Sequence, residues 1–120
     1  LVEKSYISDM KLYELISDRI NEFESICKEH KVSSLYAFGS STRDDFNENS
    51  SDIDLLIDID TNDPLEKGEN LLQIWDRFEH FFQRKVDLLT YTSIKNPVLK
   101  KNIDSSKVLI YDGKKQEVSV

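Results

Sequence analysis

An α/β (α+β) fold built around one small sheet is what this sequence predicts, and three observations carry it. Apolar residues recur at helical steps before residue 31 and again between residues 64 and 84. Short β-branched or alternating runs, Val32–Phe38, Asp52–Asp60 and Val86–Thr90, lie between and after them. Helical and strand periodicities therefore alternate along one chain, which is how helices come to cover a single sheet. No repeat or internal linker interrupts the pattern, so residues 1–120 are expected to form one domain.

The elements follow in order. Leu12, Ile16, Ile20, Phe23 and Cys27 step by three and four, which predicts one amphipathic helix from Ser8 to about Lys31. Ser8 and Asp9 suit its N-terminus, where free amides attract oxygen and negative charge. Val32–Phe38 reads as a strand, with Val32, Tyr36 and Phe38 on one side and Leu35 and Ala37 on the other. Gly39-Ser40-Ser41-Thr42-Arg43 follows; a short helix over 42–45 and an exposed loop over 46–51 are expected.

In Asp52–Asp60, Ile53, Leu55, Ile57 and Ile59 share one face and Asp52, Asp54, Leu56, Asp58 and Asp60 the other. Asp63-Pro64-Leu65-Glu66 is a helix start, with Asp at N-cap and Pro at N1, and the helix runs to about Arg84. Its spacing assigns Trp75, Phe78, Phe81 and Phe82 to core, with either Phe81 or Phe82 turned away from the main stripe. A strand at Val86–Thr90, a helix from Asn96-Pro97 to about Ile103 and a strand at Val108–Tyr111 complete the core. Asp112-Gly113 turns into a polar tail over 113–120.

Composition excludes several classes. The net charge is −7, yet eight acids and no Lys or Arg fall between Asp44 and Asp63, and elsewhere 16 basic residues meet 15 acidic ones. Nucleic-acid and anionic-membrane binders need a basic surface, which is missing. No apolar run approaches the roughly 20 residues that span a bilayer. Cys27 is the only cysteine, so neither an internal disulfide nor a cysteine-based zinc site can form, and a cytoplasmic protein is expected. Cys27 falls on the apolar helical face and reads as an inert buried thiol.

Three pieces carry chemistry. Gly39-Ser40 stands between a strand and a short helix, where a tight turn lets phosphate approach backbone amides. Asp52 and Asp54 are two apart in a strand, about 6.6–6.8 Å along one face. Asp is depleted in strands and paired like charges repel, so a hard cation would relieve both; solvation of an exposed face is the competing account. Asp87 interrupts the apolar run Val86-Asp87-Leu88-Leu89. If that strand neighbours Asp52–Asp60, three carboxylates meet beside a phosphate-binding turn, an arrangement suited to two metal ions.

In this order and spacing, Gly39-Ser40, Arg43, Ser51-Asp52-Ile53-Asp54-Leu55-Leu56 and Val86-Asp87-Leu88-Leu89 resemble the minimal nucleotidyltransferases of the DNA polymerase β superfamily. The likeness spans residues 32–111, and the eleven residues between Ser40 and Asp52 are slightly more than its tightest members have. It implies a polymerase-β-like fold, a small mixed sheet flanked by helices. It also implies an enzyme of the antitoxin kind found beside HEPN-domain toxins, which transfers AMP from ATP to a toxin tyrosine and so neutralises the toxin's RNase activity.

By the same resemblance, Gly39 and Ser40 would hold the β- and γ-phosphates and Arg43 would touch the triphosphate. Asp52, Asp54 and Asp87 would be catalytic and would ligate two Mg²⁺ ions, Asp87 also orienting or deprotonating the acceptor hydroxyl. A surface ion pair of Arg43 with Asp44, Asp45 or Glu48 explains that residue nearly as well. The implied partners are ATP and a HEPN-domain toxin, with no direct contact to nucleic acid or membrane. Two other functions stay open: a small-molecule nucleotidyltransferase resembling the aminoglycoside-modifying enzymes, and a non-catalytic toxin-binding partner.

Overall fold

A computed structural model describes residues 12, 14–39, 52–115 and 117–118. The expected helix 42–45, loop 46–51, and N-terminal caps Ser8 and Asp9 lie outside them, as do Ser40 and Arg43.

The leading helix is divided. Residues 14–17 are helical and a turn at Asp18–Arg19 precedes α1, Ile20–Glu29. Arg19 has φ −136°, outside the helical region. Tertiary contacts hold it there: its guanidinium donates to Phe81 O at 3.0 Å and to Glu22 and lies 4.5 Å from the Phe81 ring centroid. These contacts reach 62 residues along the chain, so periodicity alone read the stretch as one continuous helix.

After α1 come β1 (Val32–Phe38), β2 (Ile53–Ile59), α2 (Pro64–Phe82) and β3 (Val86–Leu89). A 3₁₀ turn at Tyr91–Ser93 leads to α3 (Pro97–Ser106), β4 (Val108–Asp112) and the two-residue β5 (Glu117–Val118). Asp63 caps α2 by accepting from Leu65 N–H at 3.0 Å, with Pro64 at N1 as expected. Asn96 does the same for α3, accepting from Val98 N–H and Leu99 N–H.

The sheet is mixed and flanked by helices, in the order β3-β2-β1-β4-β5. β2 and β3 run parallel; the remaining pairs are antiparallel. The tail thus adds a fifth strand, because the turn after β4 returns Tyr111 opposite Val118. Two residues of mixed polarity show no period, so nothing in their sequence marks a strand.

One face of the sheet packs on α1 and α2. Phe23, Ile26, Ile74, Phe78, Phe81 and Phe82 close over Leu35, Ala37, Ile53, Leu55, Ile57 and Ile59. The Phe23 and Phe78 rings stack at 5.5 Å, and Phe81 meets Phe82 edge-on at 5.0 Å. Phe81 and Phe82 are both buried, so neither turns outward as expected. Trp75 takes the outer position instead, 36% exposed, with its indole N–H donating to Val86 O at 2.7 Å. The end of α2 is enclosed between α1 and the sheet, which widens its buried stripe beyond one helical face.

Val32 also changes sides. It joins the same core as Leu35 and Ala37, because a bulge between Val32 and Ser34 reverses the alternation. Cys27 is fully buried, and burial pushes its thiol pKa well above the ordinary value, as its place on the apolar stripe predicts. Among the described residues, no helix is long and apolar enough to cross a membrane.

The other face has a smaller core of Phe38, Leu56, Ile94 and Ile103, with Tyr36 and Leu89 against it. Leu56, set by sequence among a row of acids, is buried there because α3 folds back over this face.

Candidate active site

The alternation that buries Ile53 and Leu55 against the helices turns Asp54 to the smaller-core side, half-buried. In β3, Val86 and Leu88 go to the helices, so Asp87 points with Asp54. The parallel register then settles whether these strands meet: Asp54 is the partner of Asp87. Neighbouring strands lie about 4.8 Å apart, which sets the two carboxyl groups side by side. Asp52, half-buried, stands immediately before β2 and two residues from Asp54, one residue outside the strand in which it was expected.

Gly39 ends β1 beside Asp54. Its φ is +64°, a left-handed conformation that L side chains rarely adopt. Phe38 pairs with Asp54 across β1 and β2, so the turn rides directly over that carboxylate. A Cβ on Gly39 would overlap Asp54 Oδ2 and lie 3.2 Å from Cγ. Glycine is required twice, by torsion and by space. The turn and the carboxylate are therefore one constructed unit.

Two parallel carboxylates at the end of a sheet, below a glycine turn, form a hard-oxygen donor set. Among the described residues no group of three His, Cys, Asp or Glu side chains gathers closely enough to hold an ion by itself. Magnesium commonly takes one or two carboxylates and completes its shell with water and substrate phosphate, so the Asp54–Asp87 pair fits that ion better than an all-protein cage would.

Sequence patterns gave no sign of a second group on this face. Lys107, at the end of α3, places Nζ 4.7 Å from the Tyr36 ring centroid and 3.2 Å from Asp104 Oδ1. Tyr91 donates to Asp104 Oδ2 at 2.9 Å. That bond holds the Asp104 carboxyl below its ordinary range and raises the Tyr91 phenol. Tyr36 pairs with Leu56 across β1 and β2, one strand away from Asp54. Only the return of α3 brings Lys107 to it, and no local motif records that return.

A model of the nucleotidyltransferase domain matches residues 20–110, a span that holds β1, β2, β3 and every described carboxylate of the site. The chain belongs to this family. Membership implies a nucleoside triphosphate substrate and a divalent metal generally. Two similar proteins come from Methanocaldococcus jannaschii. "Putative protein adenylyltransferase MJ1379" is 33% identical over 102 residues, 84% of this chain and 100% of its own length. "Putative protein adenylyltransferase MJ1217" is 36% identical over the same shares.

Among solved structures, a minimal nucleotidyltransferase superposes with TM-score 0.62 at 22% identity, covering 79% of this chain and 92% of its own. A chain of a toxin-antitoxin crystal structure with AMP-PNP gives TM-score 0.52 at 21% identity, covering 78% and 73%. These two likenesses establish the fold of the nucleotidyltransferase.

Proposed function

We propose that this nucleotidyltransferase transfers AMP from ATP to a tyrosine hydroxyl of a cognate HEPN-domain toxin, and so acts as its antitoxin. The observation that carries the reading is the Asp54–Asp87 pairing beneath the Gly39 turn. The names of the Methanocaldococcus relatives support a protein acceptor. The toxin-antitoxin structures that share the fold, one of them named MntA-HpeT, support a toxin as that acceptor.

The chain's own residues divide the work. Gly39 and Ser40 would hold the β- and γ-phosphates, and Arg43 would add a cation to the triphosphate. Asp52, Asp54 and Asp87 would hold two magnesium ions, which supply charge neutralisation for the triphosphate when bound. Asp87 orients the acceptor hydroxyl and takes its proton. The phenolic oxygen attacks the α-phosphorus in line and forms the new P–O bond. The bond from the α-phosphorus to the bridging oxygen breaks, and pyrophosphate leaves with that electron pair. A tyrosine, with pKa about 10, loses its proton more readily than an aliphatic hydroxyl would.

The test is incubation of the chain with ATP, magnesium and the product of the adjacent gene, followed by intact and peptide mass spectrometry. One or more AMP units on a tyrosine of that protein is the expected result. Tight binding with an unmodified partner would leave a plain binding module and overturn the reading.

A further inference from the structure

β3 is an edge strand of the sheet. The Ile53 N–H donates to Lys85 O at 3.1 Å, which fixes the amide directions: Lys85 and Asp87 turn toward β2, while Val86 and Leu88 turn outward. The outward groups of Val86 are both occupied. Trp75 donates to its carbonyl at 2.7 Å and Glu79 accepts from its N–H at 3.0 Å. Leu88 has no such guard, and among the described residues its outward N–H and C=O have no hydrogen-bond partner. Unpaired edge groups are a template for another strand unless the protein covers them.

Beside that edge lies an apolar groove of about 540 Å³ between α2 and β3, lined by Leu65, Leu71, Leu72, Trp75 and Leu88 among others. Leu65 is 72% exposed and Leu72 71% exposed, large apolar side chains left in water on one helix face. Glu69 lines the groove itself. In the adjoining hollow, Leu72 and Trp75 stand with Asp76 and Glu79 against the single cation Lys85. Around the groove, Glu69, Asp76 and Glu79 thus outnumber Lys85. A second copy would bring the same acids to the same place, whereas an apolar segment flanked by Lys or Arg is complementary.

We propose that the open edge of β3 at Leu88 and the adjoining Leu65–Leu72–Trp75 groove dock an extended, basic-flanked apolar segment of the partner protein as an added strand. Main-chain bonds to Leu88 fix the segment's register, and the side chain opposite Leu88 enters the groove. The next side chain along, turned by strand alternation, falls on the face that carries Asp87 and Asp54. Docking at this edge thereby delivers a neighbouring hydroxyl to the carboxylates. This last consequence rests on the protein-acceptor reading; the docking itself does not.

Trp75 is the only tryptophan, so its emission reports directly on the groove. The experiment titrates the full chain with a synthetic peptide of alternating valine and tyrosine, with lysines at both ends. A second peptide is N-methylated at the residue set to pair with Leu88. A saturable change in Trp75 emission is expected, with Kd raised about tenfold by the methyl group and by Leu72→Glu, a substitution at an exposed position. Asp87→Asn is expected to bind the peptide unchanged and to lose AMP transfer to it. Binding without transfer by the wild-type chain would remove the protein-acceptor reading and keep the docking site. No saturable change up to about 1 mM peptide overturns the docking site, as does an equal Kd for both peptides. Sedimentation showing a dimer that Leu72→Glu disperses overturns it too, by making the occupant a second copy.

Discussion

On the helix side of the sheet, twenty buried residues among those described form one continuous core, with stacked phenylalanines from two helices. On the opposite side Phe38, Leu56, Ile94 and Ile103 are the cluster found among the described residues, beneath the ten-residue α3. The first face holds the fold. The second is covered at one end and leaves the end with Asp54 and Asp87 half-exposed, where a triphosphate can reach it. Alternation along β2 and β3 couples the faces, since each residue that enters the large core turns its neighbour toward the site.

Substitutions can break that division. Phe78→Ala removes a fully buried ring stacked on Phe23 and is expected to cost about 3–5 kcal/mol, read by urea denaturation, without touching either carboxylate. A loss below about 1 kcal/mol would contradict the helix side as the seat of stability. Ile103→Ala in the smaller core should cost about 2 kcal/mol, the low end for such changes, since that cluster borders solvent and can collapse. Transfer activity should fall further than this stability loss accounts for, because α3 covers the site face.

Gly39→Ala is expected to cost about 1–2 kcal/mol from its left-handed torsion. It should displace the Asp54 carboxylate as well, so activity measured on the folded fraction falls steeply. Cys27→Ser should cost about 1–3 kcal/mol by burying a hydroxyl, and Cys27 in the native chain should resist alkylation until denaturant is added.

The smallest effect is a pH dependence at α3. The Asp104 carboxyl is lowered by its bond from Tyr91, so its contribution is present above about pH 4 and lost as pH falls through the lowered pKa. Tyr91 is raised by the same bond, so its contribution is present below about pH 10 and lost as pH rises through the raised pKa. Tyr91→Phe should flatten both limbs in a thermal-melt series across pH.

Strand and helix positions were legible because β2, α2 and β3 carry strong local patterns: alternating isoleucines, a capped Asp-Pro start and an apolar four-residue run. The carboxylates were legible for a related reason, since Asp in a strand contradicts its surroundings. Features set by distant partners were not. Arg19 breaks the first helix to reach Phe81, a bulge moves Val32 to the other face, and α3 buries Leu56 and delivers Lys107. The adjacency of Asp54 and Asp87 belonged to both kinds: each residue was marked locally, and only the parallel register joined them.

The central claim is that these two joined carboxylates carry AMP transfer. It is tested most directly by the transfer rate to the proposed HEPN-domain acceptor for Asp54→Asn and Asp87→Asn beside the wild-type chain, each shown folded by its thermal melt. The account predicts a loss on the order of 10³-fold for either variant with an unchanged melting transition. Wild-type transfer by a folded Asp54→Asn, Asp87→Asn double variant would contradict it.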